Sequence, residues 1–183
     1  VSFIVPFYGK KDETLNMYSS LVNGFGEIIF DKEFIFIDDG SGDETINEDL
    51  LTFHPCRVIV NNSNLGFSRS SNIGSKYASG TFLIFLNNDL VLDVGWINSI
   101  LNILTSKSSN AGVVGNIQYR ILDNSVDHVG FELTPQGKLI HKRQLPDSSS
   151  AYSKVSAVTG ACLAIRKTDF EAVGGFDEGF LNE

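Results

Sequence analysis

Hydrophobic and polar positions follow two alternating patterns over the first hundred residues. Val1 to Val5 is a short apolar run closed by Pro6, whereas Asp12 to Asn23 carries Leu15, Tyr18, Leu21 and Val22 at helical spacing. Phe34-Ile35-Phe36-Ile37 is an unbroken apolar run that stops at Asp38-Asp39-Gly40-Ser41, the pattern of a strand buried on both faces. Ser41, with Glu44 three residues on, reads as a capping box opening a helix toward Leu51. The same rules predict strands over 57–60 and 82–86 and helices over 67–78 and 96–104. Strands and helices that take turns across short connections predict a parallel α/β sheet. After residue 110 the pattern changes. Short strands are expected at 113–114, 117–121, 129–133 and 161–165, broken by Gly, Asp and Asn, with one clear helix over 167–173. The second half is therefore read as mixed and loop-rich, with Pro146 to Ser150 as an exposed loop.

Length and composition narrow the class. At 183 residues the chain is about one domain, 1–183. Lys and Arg number 14 against 22 Asp and Glu, a net charge of −8, which argues against a general nucleic-acid or anionic-membrane binder because nothing offsets phosphate repulsion. No apolar run approaches the ~18 residues of a membrane span, and no basic, apolar, small-residue leader opens the chain. Cys56 and Cys162 lie far apart without metal-type spacing and are read as unpaired thiols of a reduced compartment. A first residue other than Met and a stop at Glu183, just after a Gly-rich segment, read as an excerpt of a longer protein.

In open α/β sheets ligands sit beyond the carboxyl ends of the strands, so the polar residues after each apolar run matter most. Asp38 and Asp39 repel each other unless something offsets the charge, and a base or ribose donating hydrogen bonds would do so; turn and cap chemistry is the plainer alternative. Asn87-Asn88-Asp89 follows the run Phe82 to Leu86 and offers hard oxygen ligands for Mg²⁺ or Mn²⁺ when a diphosphate completes the shell, although it is also good turn chemistry. Asn64 to Asn72 opens a helix at Gly66, an expected anion site, with Arg69 and Asn72 three apart on one face. It lacks the Gly-Lys-Ser/Thr of a P-loop, and the first strand lacks the G-x-G-x-x-G of a dinucleotide site. His54, His128 and His141 make no metal triad and are read as structural, His141 in an exposed segment; Met17 and Trp96 are read as core.

Together these strings resemble the family-2 glycosyltransferases of the GT-A fold. The resemblance rests on Val1 to Tyr8, Phe36 to Asp43, Asn64 to Gly74, Phe85 to Asp89, Thr159 to Arg166 and Gly174 to Glu178, in the family's order. It implies a GT-A type, Rossmann-like, mostly parallel sheet flanked by helices, with a nucleotide-binding half at 1–110 and an acceptor-side half at 111–183. Pro6, Tyr8, Asp38, Asp39, Arg69 and Asn72 would hold the nucleotide, with Asp39 the partner of the base. Asn88 and Asp89 would occupy the acidic metal motif, Asp89 as ligand of Mg²⁺ or Mn²⁺; Asn88 departs from the second carboxylate of many members. Thr159, Gly160 and Ala161 would line the sugar and acceptor side. Glu183 matches the Glu that precedes the family's catalytic Asp; that Asp is expected beyond this chain, and Glu183 is the carboxylate within it that would substitute as base. Asn87-Asn88-Asp89, with Asp127 to Gly130 and Gly137, looks most like the rhamnosyltransferase-like branch.

The implied activity is a metal-dependent, inverting hexosyl transfer from a nucleoside-diphosphate sugar to a hydroxyl of a glycan or lipid-linked acceptor, in cell-surface polysaccharide or glycan synthesis. The implied setting is cytoplasmic, with any contact to the inner membrane face made through regions outside this chain. Two other classes compete. A catalytically silent sugar-nucleotide-binding domain would bind nucleotide without transfer. A phosphoacceptor signalling domain would place its acidic pair after the first strand, where this chain has Pro6-Phe7-Tyr8.

Overall fold

A computed structural model describes residues 1–27, 29–52, 56–106, 108–145 and 152–179. His54 and the segment 146–150 lie outside the described residues. Ser2–Phe7 forms β1, buried throughout, as its apolar run requires. Lys11–Asn23 (α1), Glu33–Asp38 (β2), Glu44–Leu51 (α2), Cys56–Val60 (β3), Phe67–Tyr77 (α3), Phe82–Leu86 (β4) and Trp96–Thr105 (α4) follow in the expected alternation. The α2 start differs from expectation. Asp43, not Ser41, is the N-cap, and its side chain accepts from the Thr45 backbone N–H at 3.0 Å.

The second half departs further. Val113–Gly115 (β5) and Cys162–Arg166 (β10) join the main sheet, and Lys167–Ala172 (α5) follows. The runs expected at 117–121 and 129–133 are instead two small hairpins: Gln118–Tyr119 (β6) with Val126–His128 (β7), and Phe131–Leu133 (β8) with Leu139–His141 (β9). Gly130, at φ 120, separates β7 from β8 inside what the sequence presents as one apolar run.

The six-stranded sheet runs β3-β2-β1-β4-β10-β5. The first four strands are parallel, and β10 is antiparallel to both β4 and β5. Alternate side chains fill two cores. Phe3, Val5, Phe7, Phe34 and Phe36 face one layer with Met17, Leu21 and Ile100, while Ile4, Ile35, Ile37 and Phe85 face the other with Ala78 and Phe170. Met17 is fully buried and Trp96 packs on the first core, as read from the sequence. Aromatic rings fill much of that layer: Phe3 stacks on Phe34 at 5.4 Å and Tyr18 meets Phe34 edge-on at 5.2 Å. The parallel strands thus end together on one edge, where the polar strings emerge.

Candidate functional site

Register explains the first cluster. Phe7 pairs with Asp38, so Tyr8-Gly9 and Asp38-Asp39 leave the sheet side by side. The Asp39 N–H donates to the Phe7 carbonyl at 2.8 Å, and the Gly9 N–H donates to Ser41 Oγ at 2.6 Å. Asp38 Oδ1 accepts from the Ser41 N–H and Oδ2 from Asn47 Nδ2, both at 2.8 Å. Asp39 Oδ1 accepts from Asn61 Nδ2 (2.8 Å), the Leu65 N–H (2.9 Å) and Ser70 Oγ (2.8 Å), and Oδ2 from the Gly66 N–H (2.8 Å).

Two expectations are corrected here. The acidic pair does not need a ligand to offset its charge, because the chain's own donors surround both carboxylates. The anion at the entry of α3 is Asp39 itself. Gly40 makes this packing possible: its φ is 81, and a Cβ there would lie 2.8 Å from Ser63 Cα. Asn61, Asn47 and Ser70 escaped the sequence reading. Asn61 had a signal, since it directly follows β3 just as Asp39 and Asn87 follow β2 and β4.

Tyr8 is 58 % exposed at the end of β1, whereas Pro6 is buried within it. Asn88 Nδ2 donates to Thr14 Oγ1 at 2.9 Å, which fixes the loop after β4 against α1. Asp89 is exposed, and among the described residues its carboxylate has no hydrogen-bond or ion-pair partner. Thr159 to Ala161 lie beside the start of the same loop: the Asn87 N–H donates to the Ala161 carbonyl at 2.9 Å, and Gly160 packs against the Phe67 ring. Among the described residues no three His, Cys, Asp or Glu side chains gather to hold a metal. A single exposed carboxylate still suits Mg²⁺ or Mn²⁺, which keep several waters and take phosphate oxygens.

Arg69 and Asn72 share a face, but both meet the chain rather than open space. Asn72 Nδ2 donates to the Phe176 carbonyl and to Glu178 Oε1, each at 2.9 Å, and its Oδ1 accepts from the Phe176 N–H at 2.9 Å. Arg69 Nε lies 3.7 Å from Glu178 Oε2, and buried Nε has no hydrogen-bond partner. Glu183 lies outside the described residues. His128 is buried, and its Nδ1 meets His141 Nδ1 at 3.0 Å, a pairing that residue spacing did not reveal. Burial first, then the neighbouring His141, hold the His128 imidazole below its ordinary value of 6.5 against the opposing pull of Asp127. Burial pushes the Cys56 thiol up to about 11 and Cys162 to about 12, so neither is a nucleophile at neutral pH.

Residues 2–174 match the family model described as glycosyl transferase family 2. The O-antigen biosynthesis protein RfbC of Myxococcus xanthus is 32 % identical over 60 % of this chain and 9 % of its own length. The low-salt glycan biosynthesis hexosyltransferase Agl10 of Haloferax volcanii is 24 % identical over 99 % of this chain and 57 % of its own. The chain thus spans less than two thirds of the length of either relative.

Solved structures share the fold. Staphylococcus aureus TarS 1–349 superposes with a TM-score of 0.69 at 16 % identity over 99 % of this chain and 51 % of that one. GalNAc-T7 with UDP, GalNAc and Mn²⁺ gives 0.69 at 16 % identity over 100 % and 38 %. The mannosyltransferase PcManGT of Pyrobaculum calidifontis with GDP-Man and Mn²⁺ gives 0.65 at 14 % over 97 % and 47 %. No helix among the described residues is long and apolar enough to cross a membrane.

Proposed function

The chain belongs to glycosyl transferase family 2, and on that premise we propose that it moves a hexosyl group from a nucleoside-diphosphate sugar to an acceptor hydroxyl with inversion. One observation carries the reading. The Asp89 carboxylate, partnerless among the described residues, follows the turn after β4 whose Asn87 bonds Ala161, on the sheet edge where α/β folds bind ligands. The exposed Tyr8 ring offers a face for the base. Asp39 Oδ2, with one internal donor, keeps a lone pair for a base N–H. Arg69 supplies positive charge toward the phosphates, while Asn72 works at one remove by seating Glu178 beside it. Asp89 would hold Mg²⁺ or Mn²⁺, which stabilises charge developing on the departing diphosphate. A carboxylate on the acceptor side takes the hydroxyl proton, the role that the resemblance gives to the region of Glu183.

The names of relatives support the substrate class: an O-antigen protein, a glycan hexosyltransferase, and structures solved with GDP-Man or UDP. The acceptor in this reading is a growing glycan, free or lipid-linked. Asn88 beside Asp89, together with Asp127 to Gly130, favours a rhamnosyltransferase-like donor preference. The test is calorimetry with UDP, GDP and dTDP, each with Mn²⁺ or with EDTA. At least one nucleotide binds about tenfold or more tightly with Mn²⁺, and Asp89→Ala removes that difference. Equal affinity with Mn²⁺ and EDTA in the parent chain refutes the metal role.

A further inference from the structure

A cleft of about 890 Å³ runs along β5 between α4 and the segments 128–130 and 152–158, with Leu163 of β10 also in its lining. Its walls are largely apolar, with Ile100, Val114, Val158 and Leu163 among them, and Tyr152 stands half-exposed in the lining. Among the described residues that line it there is no carboxylate, and Lys154 is the one lysine or arginine. Against this apolar wall the chain leaves polar atoms unmatched. Asn116 and His128 both line the cleft, and among the described residues Asn116 Oδ1 and His128 Nε2 are buried without a hydrogen-bond partner. His128 is only 2 % exposed, and its other nitrogen is engaged by His141.

We propose that this cleft is a subsite for an uncharged sugar residue of the acceptor glycan, with Asn116 and His128 matched to its hydroxyls. The inference rests on the transferase reading above and names where the acceptor sits. Buried polar atoms without partners are costly, so a pair of them beside an apolar wall is matched by a ligand that brings both hydroxyls and ring carbons. Asn116 Oδ1 accepts, His128 Nε2 donates or accepts according to its tautomer, and a hydroxyl does both, so one class of ligand satisfies the pair. His128 is held neutral at pH 7 by its burial, so its free nitrogen suits a hydroxyl rather than an anion. The lack of carboxylates in the lining argues against a cationic occupant. Position agrees as well: the cleft wall at 157 and 158 leads directly into Thr159, and Gly115 at the end of β5 pairs with Leu163, two residues past Ala161. A sugar held there lies beside the edge that carries Asp89.

The test uses ¹H–¹⁵N NMR of the chain, titrated with the methyl glycosides of glucose, galactose, mannose, N-acetylglucosamine and rhamnose. At least one glycoside shifts signals confined to 112–118, 128–130 and 152–158. Asn116→Ala weakens that binding about tenfold, which is about 1.4 kcal/mol. Gly112→Leu serves as a blocking variant, because Gly112 lines the cleft and a Cβ there meets nothing within 4 Å. It abolishes the glycoside shifts and leaves nucleoside-diphosphate binding intact, which also shows that the variant is folded. Nucleotide binding without any glycoside shift in the cleft overturns the subsite and leaves the family reading standing. Glycoside shifts that survive Gly112→Leu also overturn it. Cleft shifts in a parent chain that binds no nucleotide uphold the sugar site and overturn the transferase reading instead.

Discussion

Replacing Asp39 with Ala tests whether its carboxylate belongs first to the fold. The side chain is 5 % exposed and accepts from four groups: two backbone N–H groups, Asn61 Nδ2 and Ser70 Oγ. After the substitution Asn61 Nδ2 keeps its bond to Ser70 Oγ at 3.0 Å, and the hydroxyl can turn. The Leu65 and Gly66 N–H groups have no substitute acceptor for this contact except that Gly66 also reaches Asn64 Oδ1 at 3.1 Å. At about 1–3 kcal/mol for each donor left unpaired, with water able to reach the partly exposed loop, the net loss should be about 2–4 kcal/mol. Relief of repulsion from Asp38 returns only a small part of that. For a domain of this size the loss lowers Tm by roughly 5–15 °C. Urea unfolding followed by far-UV circular dichroism reads it directly. A loss under about 1 kcal/mol would refute the internal-anion argument. Unchanged stability with nucleotide binding abolished would show that the donors this carboxylate depends on come from the ligand.

The remaining expectations concern packing, the late turn and pH. Gly74→Ala puts a Cβ 2.6 Å from Ile4 Cγ2 and 2.7 Å from Ile37 Cδ1, so crowding of about 1–3 kcal/mol should outweigh the ~1 kcal/mol helix gain, and urea unfolding should show a net loss. Asn72→Ala removes three hydrogen bonds to Phe176 and Glu178, and hydrogen exchange should show faster labelling of 175–178 while β1 stays protected. The folded-state pKa of His128 is below 6.5, so the unfolded chain takes up the proton first. Stability should fall as pH drops through about 6.5, and the loss should be complete below the folded value. Urea midpoints at several pH values check this, and a midpoint that rises on acidification around pH 6 would show the sign to be wrong.

The sheet was legible because its strands are runs such as Phe34 to Ile37 and Phe82 to Leu86, whose continuous burial leaves one reading. The hairpins were not, because β7 is Val126-Asp127-His128 and β9 is Leu139-Ile140-His141, three residues each, too short for any period to show. Their pairing is set by Gly130 and by the Val129 and Lys142 backbone bonds, which only the folded chain brings together. At the site, the strand-end rule found Asp38, Asp39 and Asp89 but could not say which of them faces inward. That depends on Asn61, Leu65, Gly66 and Ser70, which lie 22 to 31 residues away from Asp39. Asn72 shows the same limit over a longer span, since its partner Phe176 is 104 residues distant.

The division between engaged and spare groups gives the edge its chemical logic. Amides and carboxylates with several hydrogen-bonding atoms tie loops from different elements: Asp38 to Asn47, Asp39 to 61–70, Asn88 to Thr14, Asn72 to 176–178. Each tie closes a loop across the fold before any ligand arrives, so the ordering cost of those loops is met by folding rather than by binding. The Gly174 to Glu178 string belongs to this scaffold. Gly175, at φ 82, packs so closely on Asn72 Oδ1 that a Cβ would approach to 2.7 Å, and Phe176 seats against Phe67, Phe85 and Phe170. Glu178 is thereby placed beside Arg69, where it competes with any anionic ligand for the guanidinium. That ion pair is long and about half exposed, worth well under ~1 kcal/mol, so under the proposed function a diphosphate with two or more charges would displace it. On that proposal Arg69 would exchange a weak internal partner for a stronger external one.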